Sequence, residues 1–456
     1  MVLKKKIIFE LKKVLKDNEE KNLILNILAA FLIKGLSLFI TFFSMPLYIK
    51  YFDNNRVLGV WYTILSVLSW IVICDLGFGN GLRNKFTEAY AKEEFIKAKK
   101  YVSSTYVFLS FIVFPIIIFG SFLILCSNLN NFFNISIDVI NSRSLKTGVL
   151  ILFFGICINF VLKSINSIVY AIQKSSLNNF VSLIISLIPL LFILISSNKG
   201  INSNFVSLAF VHALAINIPL IILSLAIFRS KKLKLCKPEL KYFEFSTAKQ
   251  MLNIGLQFFI VQIFFMILMS TNEIFIIKFF SVEDIVEYNI YYRLFMVVGS
   301  LFMLALTPLW SKITKDLAEK KYYKIKVTNR ILYIISTVAM FSEFLIIPFI
   351  QVIINIWLRE RAIKVDYTTT VIFALYGGLY ILNIVLTTVA NGMGKLKTQI
   401  FFYGLGAIFK YLGIVLLKKI ILRWDIVILY NCFILIMFCI FQIFWIKKEI
   451  SKLEKV

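Results

Sequence analysis

Long apolar stretches separated by short polar clusters dominate this sequence. Runs of about 20 apolar residues bounded by charged residues predict twelve membrane-spanning helices. We place the spans at 23–43, 57–78, 102–126, 147–170, 178–197, 204–228, 250–275, 286–309, 331–356, 368–391, 399–417 and 424–446. Strands of a membrane β-barrel alternate over only about 10 residues, so runs of this length exclude that architecture. The predicted fold class is an all-α integral membrane protein with about 12 transmembrane helices.

The composition agrees with a membrane protein. Of the 456 residues, 60% are hydrophobic and 16% are charged, whereas soluble domains carry about 45–50% apolar and about 25% charged residues. The chain has one histidine and six scattered cysteines without a CxxC pair, so we predict no metal, no cofactor and no disulfide framework. The N-terminus lacks the apolar core of a signal peptide, and we expect it to remain as a basic cytoplasmic segment.

The distribution of basic residues predicts the orientation of the helices. The formal net charge is +26, and with the N-terminus inside, the cytoplasmic segments hold 34 of the 50 Lys and Arg while the external loops hold 12. This asymmetry places both termini in the cytoplasm. It explains the basic excess through topology and attraction to anionic lipids, so we expect no nucleic-acid partner.

The two halves of the chain are related by an internal repeat. A shift of 228 residues lays IKYF at 49–52 on IKFF at 277–280. A shift of 221 pairs Ala171, Gln173 and Lys174 with Gly392, Gly394 and Lys395. Chance similarity between apolar sequences is the alternative explanation. Because six helices return the chain to its starting side, the halves share one orientation, as in transporters that rock two parallel repeats. The predicted organisation is a basic N-terminal segment (1–22), an N-lobe (23–228), a cytoplasmic linker (229–249), a C-lobe (250–446) and a cytoplasmic tail (447–456).

Polar or small residues recur at spacings of three and four in several spans and therefore share one helical face in each. They are Asn26, Ala30, Lys34, Ser37, Thr41 and Ser44 in the first span, Asn159, Lys163, Asn166 and Tyr170 in the fourth, and Tyr376, Tyr380, Asn383, Thr387 and Asn391 in the tenth. Such stripes predict a water-filled cavity. Hydrogen bonding across dry helix interfaces is the competing interpretation.

Ionisable residues within the spans are the sharpest candidates for function. Lys34 and Lys410 lie too deep for their side chains to reach either water layer, and an ionised group in hydrocarbon costs at least about 2.5–3.5 kcal/mol. Glu343 is the corresponding central acid. Lys163 and Arg293 lie nearer to span ends, where extension to the interface is an equal alternative.

Two further ionisable residues have a structural alternative. Glu273 near the outer end of span seven could pair with Arg293, and His212 could be a hydrogen-bonded core residue or a proton relay.

At the cytoplasmic end of span two, the run from Asp75 to Asn84 has three glycines at alternate positions, at 77, 79 and 81. We expect a helix break that exposes backbone amides beside Arg83, a combination suited to a phosphate group. An Asp75–Arg83 bridge that caps the span is the alternative.

Several of these features resemble the O-antigen flippases, which are polysaccharide-biosynthesis proteins of the multidrug/oligosaccharidyl-lipid/polysaccharide exporter superfamily. The resemblance rests on the basic N-terminus, Pro46 after the first span, Gly59 and Trp61 opening the second, Asp-Leu-Gly at 75–77 followed by Arg83, and Asn-Gly-Met-Gly-Lys at 391–395. It covers the whole chain through loose motifs. It implies two six-helix lobes around a cationic cavity in the bacterial inner membrane.

The resemblance also implies the substrate and the partners. An undecaprenyl-pyrophosphate-linked oligosaccharide, an O-antigen or capsule repeat unit, would move from the cytoplasmic to the periplasmic leaflet by alternating access. Membrane lipids, a proton or sodium ion, and the polymerase and chain-length proteins of the same pathway are the implied partners. The expected substrate-binding residues are Lys34, Lys410, Lys163, Arg293, Arg83, Asn26, Asn159, Asn383 and Tyr380, and the coupling candidates are Glu343, Glu273 and Asp75.

Two other functions remain open at this point. A cation-coupled multidrug antiporter of the same superfamily would be expected to have a cavity dominated by acids. A membrane enzyme that processes glycans would usually need a folded extracytoplasmic segment, whereas the predicted external loops do not exceed about 20 residues. We therefore favour a transporter rather than an enzyme.

Overall fold

The structure is a computed structural model that describes residues 77–133, 135–196, 200–280, 283–358 and 362–453, with short runs between 25 and 65. Every regular element in these residues is helical. Much of the first two predicted spans, together with Asn26, Lys34 and Asp75, lies outside the described residues.

The described membrane-spanning helices follow the predicted spans from the third onward, and a shorter helix, Phe78–Ala91, lies in the loop predicted after the second span. In chain order the described helices are α1 (Phe78–Ala91), α2 (Phe95–Cys126), α3 (Leu129–Phe132), α4 (Ser142–Leu162), α5 (Ser164–Ala171), α6 (Ser175–Ile195), α7 (Ile201–Phe228), α8 (Phe245–Ser270), α9 (Asn272–Phe279), α10 (Glu283–Ala318), α11 (Tyr322–Leu345), α12 (Ile350–Leu358), α13 (Tyr367–Gly392), α14 (Lys397–Lys418) and α15 (Ile426–Leu453). Within the described part of the chain, ten helical stretches are long and apolar enough to cross a membrane, which confirms the predicted all-α membrane fold.

The chain forms two compact units, Met1–Leu256 and Gln257–Val456. In the first unit, α7 packs against α4 and α6 around a core that contains Trp61 and Phe205. In the second unit, α13 packs against α10, α11 and α15, and Phe373 lies at the centre of an aromatic cluster. The contacts divide the chain within α8, whereas the predicted linker precedes this helix, so the predicted lobe boundaries stay a prediction.

Matching helix ends support the internal repeat. The turns after α1 and α10 each contain a left-handed residue, Glu93 and Lys320, and both have φ of 58°. In each turn the next N–H donates to the carbonyl five residues earlier, over 2.9 Å in the first and 2.8 Å in the second. This is the Schellman pattern that ends helices. A second pair of left-handed residues follows α5 and α13, where Gln173 and Gly394 have φ of 62° and 68°. These two residues are one of the three pairs that the 221-residue shift matched.

Several predicted spans contain interrupted helices. Lys163 separates α4 from α5, Thr271 separates α8 from α9, and a 3-10 turn containing Pro348 separates α11 from α12. An interruption frees backbone carbonyls, and these need new donors because the bilayer core offers no water. In the second unit, the most polar buried region lies where side chains donate hydrogen bonds to the freed carbonyls.

Candidate functional site

Lys410 lies at the interruption between α8 and α9. Its side chain projects from α14 and is 1% exposed. The ammonium donates hydrogen bonds to the carbonyl of Leu268 in the last turn of α8 and to Oδ1 of Asn272 at the start of α9. Because the C-terminal end of a helix carries partial negative charge, a cation is favourable there. Lys410 therefore holds the two helix segments together in this conformation.

Asn272 connects two further helices, α10 and α15, to the same place. Its amide nitrogen donates to the carbonyl of Met269 over 3.0 Å and to the hydroxyl of Tyr288 on α10 over 3.1 Å. Its Oδ1, which accepts from Lys410, also accepts from Nδ2 of Asn431 on α15 over 2.9 Å. All four hydrogen-bonding positions of this amide are occupied, as a buried polar group requires.

Aromatic side chains surround this polar cluster. The Lys410 ammonium lies 5.3 Å from the ring centroid of Phe275, a distance that permits a cation–π interaction. Tyr376 of α13 donates through its hydroxyl to the sulfur of Met269 over 3.1 Å. The sequence analysis identified Lys410 through its depth, but it missed Asn272, Tyr288 and Asn431, whose contacts depend on long-range packing.

Glu343 is a buried acid of a different kind. Its side chain projects from α11, has no exposed surface, and neither carboxyl oxygen has a hydrogen-bond partner among the described residues. Gly377 on α13 makes room for it, since a Cβ at Gly377 would lie 3.2 Å from the carboxyl carbon of Glu343 and 2.9 Å from the carbonyl of Phe295. An unpaired buried carboxylate is costly, so this site favours the protonated form or a bound cation.

Arg83 is buried in the first unit rather than exposed at its surface. The helix break predicted in this motif occurs at Gly77, whose φ is 71°, and α1 then continues through Gly79 and Gly81. Gly81 lies within α1, and its missing side chain lets α1 approach α8 closely. A Cβ at Gly81 would lie 3.0 Å from the Met251 carbonyl. The amide of Gly81 donates to the carbonyl of Gly77, so the expectation of exposed amides fails at this residue.

The guanidinium of Arg83 faces an aromatic ring. Its central carbon lies 5.0 Å from the ring centroid of Tyr170 on α5, and the residue is 4% exposed. Burial lowers the pKa of Arg83 to about 9, so the group remains cationic at neutral pH. The structure thus brings together Arg83 and Tyr170, which the sequence analysis treated in separate motifs.

Several predicted cavity residues form contacts between helices. The Asn159 amide donates to the carbonyl of Ile216 on α7 over 2.8 Å. Asn383 is 1% exposed and accepts from the hydroxyl of Tyr403 on α14. Tyr380 packs in the space left by Gly299 on α10. These contacts match the interhelical hydrogen bonding that the sequence analysis gave as the competing interpretation.

Other candidates have exposed side chains. Lys163 is exposed at the α4–α5 interruption, and Arg293 is exposed on α10. Glu273 is also exposed and accepts a hydrogen bond from Nδ2 of Asn289 over 3.0 Å. Among the described residues, no ion pair joins Glu273 to Arg293. His212 packs edge to face on Trp61, with ring centroids 5.8 Å apart.

The predicted outer end of the second unit carries a charged network that the sequence analysis missed. Arg423 donates to Asp366 and Asp425, and Thr369 donates to Asp425 over 2.9 Å. Although partial burial opposes it, the pKa of Asp366 lies below its usual range because the Thr368 N–H and Arg423 donate to the carboxylate. This network fixes the start of α13. Among the described residues, no group of three or more His, Cys, Asp or Glu could hold a metal ion.

We compared the chain with protein families, with characterised proteins and with solved structures. No protein-family model matches the chain. A Yersinia pseudotuberculosis protein described as "Putative O-antigen export protein" is 21% identical over 369 residues, which cover 79% of this chain and 81% of that protein. This similarity is consistent with the family resemblance noted in the sequence.

Solved structures with the same fold cover nearly the whole chain. A MATE protein in the straight conformation aligns over 97% of this chain and 99% of its own, with a TM-score of 0.72 and 13% identity. An outward-facing multidrug resistance MATE family transporter of the MOP superfamily aligns over 94% and 96%, with a TM-score of 0.68 and 12% identity. The Vibrio cholerae MATE transporter VcmN in the bent form aligns over 95% and 99%, with a TM-score of 0.64 and 11% identity. The chain therefore has the fold of these transporters.

Proposed function

We propose that this protein is a transporter rather than an enzyme, and that it moves a lipid-linked oligosaccharide from the cytoplasmic to the periplasmic leaflet of the bacterial inner membrane. The observation that carries the proposal is the similarity, over 79% of the chain, to the Yersinia pseudotuberculosis protein described as "Putative O-antigen export protein", on a fold that MATE transporters share. Both termini would lie in the cytoplasm, in agreement with the distribution of Lys and Arg.

The substrate class determines which residues are needed. An undecaprenyl-pyrophosphate carrier is anionic at its headgroup, so its transport requires cations in otherwise apolar helices. Lys163 and Arg293 have exposed side chains that can meet such a group without breaking internal bonds. Lys34 retains this proposed role from the sequence, and Asn26 would contribute amide contacts.

Lys410, Arg83 and the hydrogen-bonded amides of Asn159 and Asn383 can bind substrate only after they leave their present partners. The ammonium of Lys410 is hydrogen-bonded to Leu268 and Asn272, so an anion reaches it only if the α8–α9 junction opens. Arg83 would likewise have to leave the ring of Tyr170. Both movements belong naturally to alternating access, in which the same residues occupy two environments.

A coupling ion gives Glu343 its proposed role. A buried carboxyl without hydrogen-bond partners is the group whose charge state a proton or sodium ion can change at low structural cost. Glu273 and Asp75 are the remaining coupling candidates. Because the headgroup is anionic, an inside-negative membrane potential also favours export by about 2.3 kcal/mol per charge per 100 mV.

A cation-coupled multidrug antiporter is the second candidate function. It is favoured by the buried acid Glu343 and by the fold shared with a multidrug resistance MATE transporter. The two candidates predict different phenotypes in cells that lack the protein. A flippase deletion accumulates lipid-linked glycan that mass spectrometry detects, whereas an antiporter deletion raises drug sensitivity and leaves the lipid-linked glycans unchanged.

The same assay can identify partners and the role of individual residues. Restoration of normal glycan levels by the wild-type chain, and not by variants of Lys163 and Arg293, is the result expected of a flippase. A normal glycan profile in the deletion strain would refute the proposed substrate. If the accumulated glycan is a single repeat unit, the polymerase and chain-length proteins of that pathway become the partners to test.

A further inference from the structure

The segment between α7 and α8 is fastened to the start of α2. Lys99 and Lys100 of α2 form ion pairs with Glu239 and Glu244 of this segment. The backbone N–H of each glutamate donates to a serine hydroxyl, Ser103 and Ser104, over 3.0 and 3.1 Å. We call these contacts the linker clasp. It fixes the segment against the predicted cytoplasmic end of a membrane-spanning helix.

An open cleft of about 1040 Å³ lies beside the linker clasp. Its polar lining includes four lysines and two acids, Glu93 and Glu94. Lys99 and Lys100 pair with glutamates of the clasp, Lys97 pairs with Glu94 over 3.0 Å, and Glu93 pairs with Lys232 outside the cleft over 2.8 Å. Lys234, the fourth lysine, has no ion-pair partner among the described residues. The cleft therefore carries positive charge that the surrounding acids do not fully balance.

The basic character extends beyond the cleft. Between residues 229 and 242 the segment carries six Lys and Arg but only one acid, Glu239. Attraction of such a surface to an anionic membrane contributes about 1 kcal/mol per basic residue and decreases within a Debye length, about 8–10 Å at moderate salt. Lys97 lies five residues before the predicted span that begins at 102, which is about 8 Å along a helix, so the predicted headgroup layer lies within that distance.

Exposed apolar side chains accompany the lysines. Ile96 and Leu235 line the cleft with exposures of 66% and 54%, and Leu240 and Phe245 nearby are 80% and 64% exposed. These residues precede or border the apolar part of α2 and α8, where the chain enters the membrane. Exposed apolar groups next to cations fit the boundary between headgroups and acyl chains. A soluble anion would use the lysines but would leave these side chains in water.

We propose that the cleft binds the headgroup of an anionic phospholipid of the cytoplasmic leaflet, with Lys97 and Lys234 on its phosphates and Ile96 and Leu235 against its glycerol and upper acyl region. A lipid with two phosphates, such as cardiolipin, matches a wide cleft with several cations better than a lipid with one. This site is separate from the proposed transport function, and it would anchor the linker to the bilayer.

Native mass spectrometry of the purified full chain tests this assignment. Cardiolipin, phosphatidylglycerol and phosphatidylcholine are titrated onto the wild type and onto the variant Lys97→Gln/Lys234→Gln. We expect the wild type to prefer cardiolipin, and we expect the variant to lose about 30-fold in cardiolipin affinity at low salt. The matched control is Lys447→Gln/Lys448→Gln, which removes two exposed lysines on the same predicted side of the membrane, at the end of α15.

The outcomes distinguish a specific lipid site from general electrostatics. An equal loss in both double variants would mean that overall charge governs binding, and it would overturn the proposal. Displacement of cardiolipin by millimolar inorganic pyrophosphate would assign the cleft to a soluble anion instead. If the cleft variant does not fold, Ile96→Ser/Leu235→Ser provides the second test, since it keeps every charge and should still lower cardiolipin affinity several-fold.

Discussion

Replacing Lys410 with methionine separates a structural role from contact with substrate. Methionine keeps much of the side-chain length and removes the ammonium. Oδ1 of Asn272 keeps its hydrogen bond from Asn431, so the carbonyl of Leu268 is the acceptor that loses its charged donor. A buried acceptor left without its donor costs about 1–3 kcal/mol.

Two opposing contributions set the size of the effect. Hydrogen bonds to charged groups contribute about 1.5–3 kcal/mol each in soluble proteins, but interhelical hydrogen bonds measured within bilayers contribute only about 0.6–1.7 kcal/mol. Removing the ammonium also relieves the cost of burying a cation, which amounts to several kcal/mol before compensation. Because the hydrogen bonds to Leu268 and Asn272 already compensate most of that burial cost, the unpaired carbonyl of Leu268 dominates. We therefore expect Lys410→Met to lower the free energy of unfolding by about 1–3 kcal/mol.

A double-mutant cycle with Asn272→Leu tests the contact itself. Unfolding in mixed micelles, followed by circular dichroism, should show a coupling energy of about 1–2 kcal/mol between Lys410→Met and Asn272→Leu. Lys397→Met, an exposed substitution at the start of the same helix, should leave stability unchanged. Additive effects would refute the hydrogen bond, and loss of transport at unchanged stability would show that Lys410 contacts substrate.

Three further predictions follow from other contacts. Glu343→Leu should raise thermal stability, because it removes an unpaired buried carboxyl, while abolishing any dependence of transport on an ion gradient in proteoliposomes; unchanged coupling would leave Glu343 a structural residue. Tyr170→Phe should preserve stability and Tyr170→Leu should lower it by about 0.5–2 kcal/mol, since only phenylalanine retains a ring for Arg83; equal losses would exclude the cation–π contact. Hydrogen bonds from lysines lower the pKa of Glu239 and Glu244 below the ordinary 4.5, so their contribution to the linker clasp is complete above pH 4.5 and is lost as the pH falls through the lowered pKa values. Amide exchange of both residues, corrected for intrinsic rates, should accelerate only below about pH 4.5, and acceleration by pH 6 would contradict this assignment.

The helices were predictable because hydropathy and charge act locally along the chain. A span must be apolar over its whole length, so the sequence predicted every membrane-spanning helix that the described residues contain. The direction of these helices, which rests on the positive-inside asymmetry, stays a prediction. The repeat was visible because short polar turns follow corresponding spans in both halves, and at Gln173 and Gly394 both turns adopt the left-handed conformation although only glycine is favoured there. Both properties depend on near neighbours only.

The partners of the buried polar residues were not predictable in the same way. Lys410 stood out through its depth, but its acceptors Leu268 and Asn272 are 142 and 138 residues away in the sequence. Arg83 was expected beside exposed amides, yet the packing of α1 on α5 places it over Tyr170. A side chain on a polar helical face satisfies the same spacing rule whether it lines water or bonds a neighbouring helix.

The burial of α13 constrains how the protein is made. Most residues of this helix are covered, by α10, α11 and α15 among others, and they include Thr370, Tyr376 and Asn383. The ribosome releases α15 after α13, so α13 enters the membrane before this neighbour is available. During that interval its hydroxyl and amide groups face lipid or another nascent helix. Truncation of the last 30 residues would make this exposure permanent and turn the chain into a substrate for membrane quality-control proteases.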